Sequence, residues 1–106
     1  MLLVPREYDI HVPLNYNDGS AVEARRFQKL QAALLSHFTG LTVLPQPNKG
    51  FWKKRGVIFQ DEIVIYRVIS WKPGSSRRFL KQLRTTLESD FRQEKNLIIE
   101  RAVRAL

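Results

Sequence analysis

Three residues in two apolar segments have types suited to acid–base or anion chemistry: Asp9, His11 and Arg67. A carboxylate that orients an imidazole can move a proton near neutral pH, and a guanidinium beside them can hold an anion. Asp9 and His11 act together only on an extended segment, where residues two apart point the same way. The same three residues also read as an ordinary ion pair on a solvated or dimer-covered sheet face. His37 falls near the end of a helical stretch, where a cation complements the helix dipole. Two separated histidines and no cysteine match no zinc spacing, so no metal site is read. The five glycines are scattered rather than gathered into a phosphate loop, and no nucleophile elbow occurs. No cofactor is expected.

A second group is basic. Lys53, Lys54 and Arg55 follow Phe51 and Trp52, and Arg77, Lys81 and Arg84 recur at helical spacing further on. The chain carries a formal net charge of +8 and a pI near 10.3, which favours polyanions by long-range attraction. Aromatics interleaved with cations can stack bases and hold phosphates, so Trp52 joins these six residues as a candidate polyanion site. The rival reading is that Trp52 closes the edge of the core while the lysines protect a sheet edge from aggregation. Asp61-Glu62 and Gln93-Glu94 are polar pairs beside structural boundaries. They read as anchors that tie loop to strand, or as site carboxylates.

Regular elements must position these groups. Tyr8, Ile10, Val12 and Leu14 alternate with polar residues, which is a half-buried strand ending at Pro13. Ser20 and Glu23 form a capping-box pattern for a helix over 21–38, with Phe27, Leu30, Leu34 and Phe38 as its buried stripe. Gly40 is expected to stop that helix in the left-handed conformation. The run 41–52 reads as an edge strand with a bulge, since it holds Pro45, Pro47 and Gly50. A basic turn at 53–56 leads into a strand over 57–71, which Asp61-Glu62 is expected to bend. Ile63 through Ile69 suits a central strand. Ser75 or Ser76 caps a second helix with Phe79, Leu80, Leu83, Leu87 and Phe91 buried. The last strand covers 96–103, with Leu97 and Ile99 on one face and Ile98 on the other.

The order β-α-β-β-α-β over the whole chain, 1–106, predicts one α+β domain: a ferredoxin-like sandwich, sheet order 4-1-3-2, both helices on one face. Its open face would carry Asp9, His11 and Arg67, and Ile98 is expected there as well. Single-strand RNA readout of the usual kind for this fold is disfavoured, because the first strand offers Asp9 and His11 where aromatics are needed. No cysteine framework, signal peptide or membrane span is read, so a cytoplasmic protein is expected.

The segments Phe38-Thr39-Gly40-Leu41-Thr42, Gly50-Phe51-Trp52, Asp61-Glu62 and Phe91-Arg92-Gln93-Glu94 together resemble a family of small bacterial proteins of unknown function. Their pattern is F-x-x-G-x-T, then G-x-W, an acidic residue, and F-x-Q-E before the last strand. The resemblance spans about 15–99. It implies a ferredoxin-like fold and no assigned activity. Many such proteins look exported, and here no leader is read. The basic charge is not part of the resemblance.

The leading functional expectation is a non-enzymatic binding or assembly module that forms a homodimer through its sheet. The alternatives are nucleic-acid or polyanion binding through the basic hairpin and second helix, and a small enzyme built on Asp9, His11 and Arg67.

Overall fold

The computed structural model describes residues 4–106, apart from the side chain of Gln46. The elements are β1 (Arg6–Pro13), α1 (Ala24–His37), β2 (Thr42–Lys54), β3 (Val57–Ser70), α2 (Pro73–Asp90) and β4 (Leu97–Ala102). They form an α+β structure with one four-stranded sheet in the order β2-β3-β1-β4, which from the other edge is β4-β1-β3-β2. All three neighbouring pairs are antiparallel.

Period two decides which side of the sheet is dry. Tyr8, Ile10 and Val12 of β1 stand opposite Val68, Tyr66 and Val64 of β3, and all six are buried. They join Leu30 and Leu34 of α1 and Leu80, Leu83 and Leu87 of α2 in one core, so both helices cover this face. The ring of Phe38 meets Tyr8 and Phe79 at the far end. Phe91 closes the near end against Phe27. Ile98 stands opposite Ile10 and packs against this core. The expectation that it lies on the open face is therefore corrected: Leu97 and Ile99, opposite His11 and Asp9, point to that side.

The helix starts differ from the capping patterns. Ser20 donates its N–H and its hydroxyl to Asp18, an Asx-type turn that competes with helix capping. Ala21 bridges Asn15, and Val22 N–H donates to the Leu14 carbonyl, so the chain is still extended there. Val22 is buried, which explains why the helix waits until Ala24. Glu23 occupies the N-cap position without capping and instead accepts from the Tyr16 hydroxyl. At the other end Phe38 leaves the helix extended, and Gly40 is not left-handed. The buried Phe38 ring needs that exit. Helix α2 begins at Pro73, whose missing N–H costs nothing in a first turn. Ser75 and Ser76 therefore lie inside it rather than at its cap.

Strands β2 and β3 form a long hairpin. Its turn holds Arg55 at φ 51° and Gly56 at φ 79°, the two left-handed central residues of a type I′ turn. The register slips between Leu44 and Asn48, where Pro45 and Pro47 cannot donate to the ladder. Pairing runs on unbroken through Asp61 and Glu62, so the expected bend at that pair is absent and the irregularity belongs to β2. Because β1 stops at Pro13, opposite Ile63, the hairpin beyond that point is a two-stranded arm. Every residue from Phe51 to Gln60 on it is exposed.

Candidate functional site

Two constellations of polar groups stand out, one on the open face of the sheet and one under the arm. On the open face Asp9 lies directly opposite Arg67 on β3. Arg67 donates to both Asp9 oxygens, from Nε at 2.8 Å and Nη2 at 3.0 Å. Arg101 of β4 donates from Nη1 to Asp9 and to Glu7, each at 3.0 Å, and Arg67 Nε also meets Glu7 at 3.1 Å. Two carboxylates and two guanidinia thus lock three strands together, and Asp9 is only 3% exposed on a face with no helix over it. The hydrogen bonds from Arg67, with help from Arg101, hold the Asp9 carboxyl below the ordinary aspartate range against the opposing effect of burial.

His11 lies two residues along the same face, between Leu97 and Ile65. Burial, together with the Arg101 charge, lowers its pKa, and Asp9 opposes that shift. Asp9 and Arg67 are thus brought together as the sequence suggests. The carboxylate is engaged on both oxygens by arginine, which leaves it poorly suited to orient an imidazole or accept a proton. The residues that spacing alone missed are Glu7 and Arg101. Their signal was the same alternation: Glu7 precedes Asp9 by two, and Arg101 follows Ile99 by two.

The second constellation is a cleft of about 630 Å³ between the arm and the loops that follow β1 and α2. Its lining includes Trp52, Lys54, Phe59, Asp61, Glu62 and Glu94. Trp52 and Phe59 face each other across the arm and stack, 4.6 Å between ring centres. The Trp52 indole Nε1 donates to Asp61 Oδ2 at 2.8 Å, and Lys54 pairs with Glu94. Glu94 is carried by a tight loop: Arg92 takes φ 52°, and Gln93 N–H donates back to the Glu88 carbonyl. Asn96 donates to the His11 carbonyl and to Gln93 Oε1, tying that loop to β1. The G-x-W segment, the Asp61-Glu62 pair and the Q-E segment, far apart in sequence, meet at this one place.

The basic candidates are dispersed. Lys53, Lys54 and Arg55 form the tip of the arm. Arg77 sits near the start of α2 and makes a two-pronged bond to Glu100 of β4, at 2.7 and 2.8 Å. That bond lowers Glu100 to about 2. Lys81 and Arg84 are exposed on α2. His37 stacks flat on Phe79 at 4.4 Å and meets the buried Ser76 hydroxyl, which in turn bonds Ser70. This chain pins the end of α1 to α2 and β3. Among the described residues no group of three or more acidic or histidine side chains is placed to hold a metal, and no helix is long and apolar enough to cross a membrane.

No protein-family model matches the chain, and no curated protein matches it. Among solved structures it is similar to a phage SAM lyase in complex with S-methyl-5′-thioadenosine. The two share 15% identity and a TM-score of 0.71, over 92% of this chain and 81% of the other. At that identity the likeness is one of fold.

Proposed function

We propose that this α+β domain, of ferredoxin-like type, is a non-enzymatic binding and assembly module whose copies associate through the open sheet face and the arm. The observation that carries this reading is the placement of large apolar side chains where the chain's own core cannot reach. On the arm Phe51 and Ile58 are 65% and 66% exposed, and on and beside the open face Ile69, Leu97 and Trp71 are 45%, 54% and 52% exposed. Ile69 and Leu97 lie on the open face, while alternation puts Phe51 and Ile58 on the helix side of the arm, so each side offers its own apolar surface to a partner. A second copy is the partner that the charges favour. The chain's net charge is +8, yet the open face pairs its own carboxylates with its own guanidinia. Like-charge repulsion between copies is weakest there.

Sedimentation equilibrium is expected to give a homodimer, near twice 12.4 kDa. Combining Ile69→Glu with Leu97→Glu should return the monomer mass. A parent protein that stays monomeric to ~100 µM would remove the interface, because standard-size contacts hold at that concentration.

A second reading, polyanion binding, is favoured by the arm tip. Lys53 and Arg55 make no ion pair among the described residues, whereas Lys54 and Arg77 are paired to carboxylates. Affinity for single-stranded nucleic acid should then fall steeply with salt, since each neutralised phosphate releases counterion. Replacing Lys53, Lys54 and Arg55 together by glutamine should flatten that salt dependence. Absence of binding at low salt to either DNA or RNA would end this reading. The ligand of the similar phage structure supplies one further probe: saturable binding of S-methyl-5′-thioadenosine would make the module a ligand binder as well as an assembly element.

A further inference from the structure

We infer that the outer edge of β4 is a docking site for an extended acidic peptide, which adds to the four-stranded sheet as a further strand. The hydrogen-bond ladder fixes which backbone groups of β4 look outward. Val103 N–H donates to the Pro5 carbonyl, and this pair continues the β1–β4 register. Bonded and non-bonded pairs alternate in an antiparallel ladder, so Leu97, Ile99 and Arg101 bond to β1. Ile98, Glu100 and Ala102 then turn their N–H and C=O groups away from it, at the end of the sheet. Among the described residues no backbone hydrogen bond from outside the sheet reaches these three. The opposite edge is defended: β2 carries Pro45, Pro47, a register slip, Lys49, Lys53 and Lys54. Strand β4 reads Leu-Ile-Ile-Glu-Arg-Ala, with no proline, glycine or lysine, and its pairing has no slip. Such an edge is open to strand addition, in which backbone bonds give affinity and alternate side chains give specificity.

The partner's chemistry follows from what flanks that edge. Arg77, Lys81, Arg84 and Glu88 share one row of α2. Both ends of the row are tied to the line of β4: Arg77 bonds Glu100, and Glu88 accepts the Asn96 N–H. Lys81 and Arg84 lie between these ties, exposed, and make no ion pair among the described residues. The helix-side residues of an added strand would run beside them. Glu100, the carboxylate on that side of β4, is already neutralised by Arg77. On the open side the edge presents Leu97, 54% exposed, and Ile99, while Arg101 is held by Glu7 and Asp9. Strand residues alternate between faces. A peptide with a carboxylate at every second position and branched apolar residues between meets both sides at once. A second copy fits less well, because pairing β4 with β4 would bring two rows of α2 cations together. Nucleic acid would use the cations and leave the outward backbone groups unmet. The inference names a partner for the binding module proposed above and rests on that reading, without needing the copies to associate.

The test uses the full chain and end-blocked peptides as long as β4, alternating valine with glutamate, lysine or glutamine. In proton–nitrogen NMR spectra the glutamate peptide should shift the amides of Ile98, Glu100 and Ala102 saturably and slow their exchange. The lysine peptide should bind at least about tenfold more weakly. Ala102→Pro removes one outward N–H and leaves the β1 ladder whole. It should weaken the glutamate peptide severalfold with little change in melting temperature. Lys81→Gln combined with Arg84→Gln should weaken the glutamate peptide severalfold and leave the weaker binding of the glutamine peptide as it was. Equal binding of the glutamate and lysine peptides would overturn the inference, as would the absence of a saturable shift up to ~1 mM. Unchanged binding by Ala102→Pro would also sink it, because the cations would then act alone, as toward any polyanion. Protection of the same three amides that grows with protein concentration, without peptide, would assign the edge to a second copy instead. A chain that is monomeric in sedimentation yet binds the glutamate peptide loses the assembly reading and keeps this one; a dimer that ignores the peptide does the reverse.

Discussion

Leu34→Ala lowers the free energy of unfolding by about 2–5 kcal/mol, the usual cost of emptying a fully packed leucine site. Leu34 is 0% exposed in the core that α1 shares with the sheet, and the sheet side of that core, Ile10 and Tyr66 included, belongs to paired strands. Strands held by a ladder on both sides move little, so most of the cavity persists. Leu83→Ala, at the equivalent place on α2, should cost a similar amount. The control lies one residue along: Leu35 is 56% exposed, and Leu35→Ala should stay within about 0.5 kcal/mol of the parent. Urea denaturation measures all three. Equal midpoints for Leu34→Ala and Leu35→Ala would mean that α1 does not present this face to the sheet.

The second large effect belongs to Asp9. Replacing it by asparagine leaves Arg67 and Arg101 facing each other across β1, with an amide nitrogen where each found an oxygen. The expected loss is about 2–3 kcal/mol, below the figure for a wholly buried pair because both guanidinia keep contact with water. The pH dependence identifies the cause. The Asp9 carboxyl is held lower in the folded chain than in the unfolded one. Its contribution is therefore complete above the unfolded aspartate value of about 4 and disappears as pH falls through the lower folded value. The gap between parent and Asp9→Asn should be steady near neutrality and close in acid. A gap that fails to narrow as pH falls below about 4 would show that shape rather than charge is responsible, since the charge contribution declines once the unfolded carboxyl takes up a proton.

Much of the fold could be read from periodicity. The alternation of β1, the stripe of Leu30 and Leu34, and the β-branched run of β3 each report a side chain's burial, and burial is what the packed structure preserves. The ends of elements were harder to read. Ser20 and Glu23 satisfy a capping pattern, but Asp18 and Tyr16 offered each a partner nearer to hand, and no local pattern registers that competition. The side of Ile98 was misread because three consecutive apolar residues, Leu97, Ile98 and Ile99, blur the alternation, and only the register against Ile10 resolves it. The open-face ion network was half legible: Asp9 and Arg67 were paired by topology, while Glu7 and Arg101 needed the registers on both sides of β1. Trp52, Asp61 and Glu94 could be singled out as residues in sequence. Their meeting in one cleft could not, because it depends on how far the hairpin extends past Pro13 and on which way it folds over.

That overhang divides the molecule's resistance to opening. From Ile63 to Arg67 β3 lies between β1 and β2 over a shared core, and exposing its amides to solvent hydrogen requires undoing the sheet. Beyond Ile63 the arm is a lone hairpin, and two strands by themselves are marginal in water. Its amides should therefore exchange through small local excursions, orders of magnitude faster than those of β1, without the rest of the chain taking part. The cleft and the arm's apolar face are thus built on the part of the molecule that can unlatch without unfolding, so a ligand or a second copy that clamps the arm would slow exchange there and leave the core's protection unchanged.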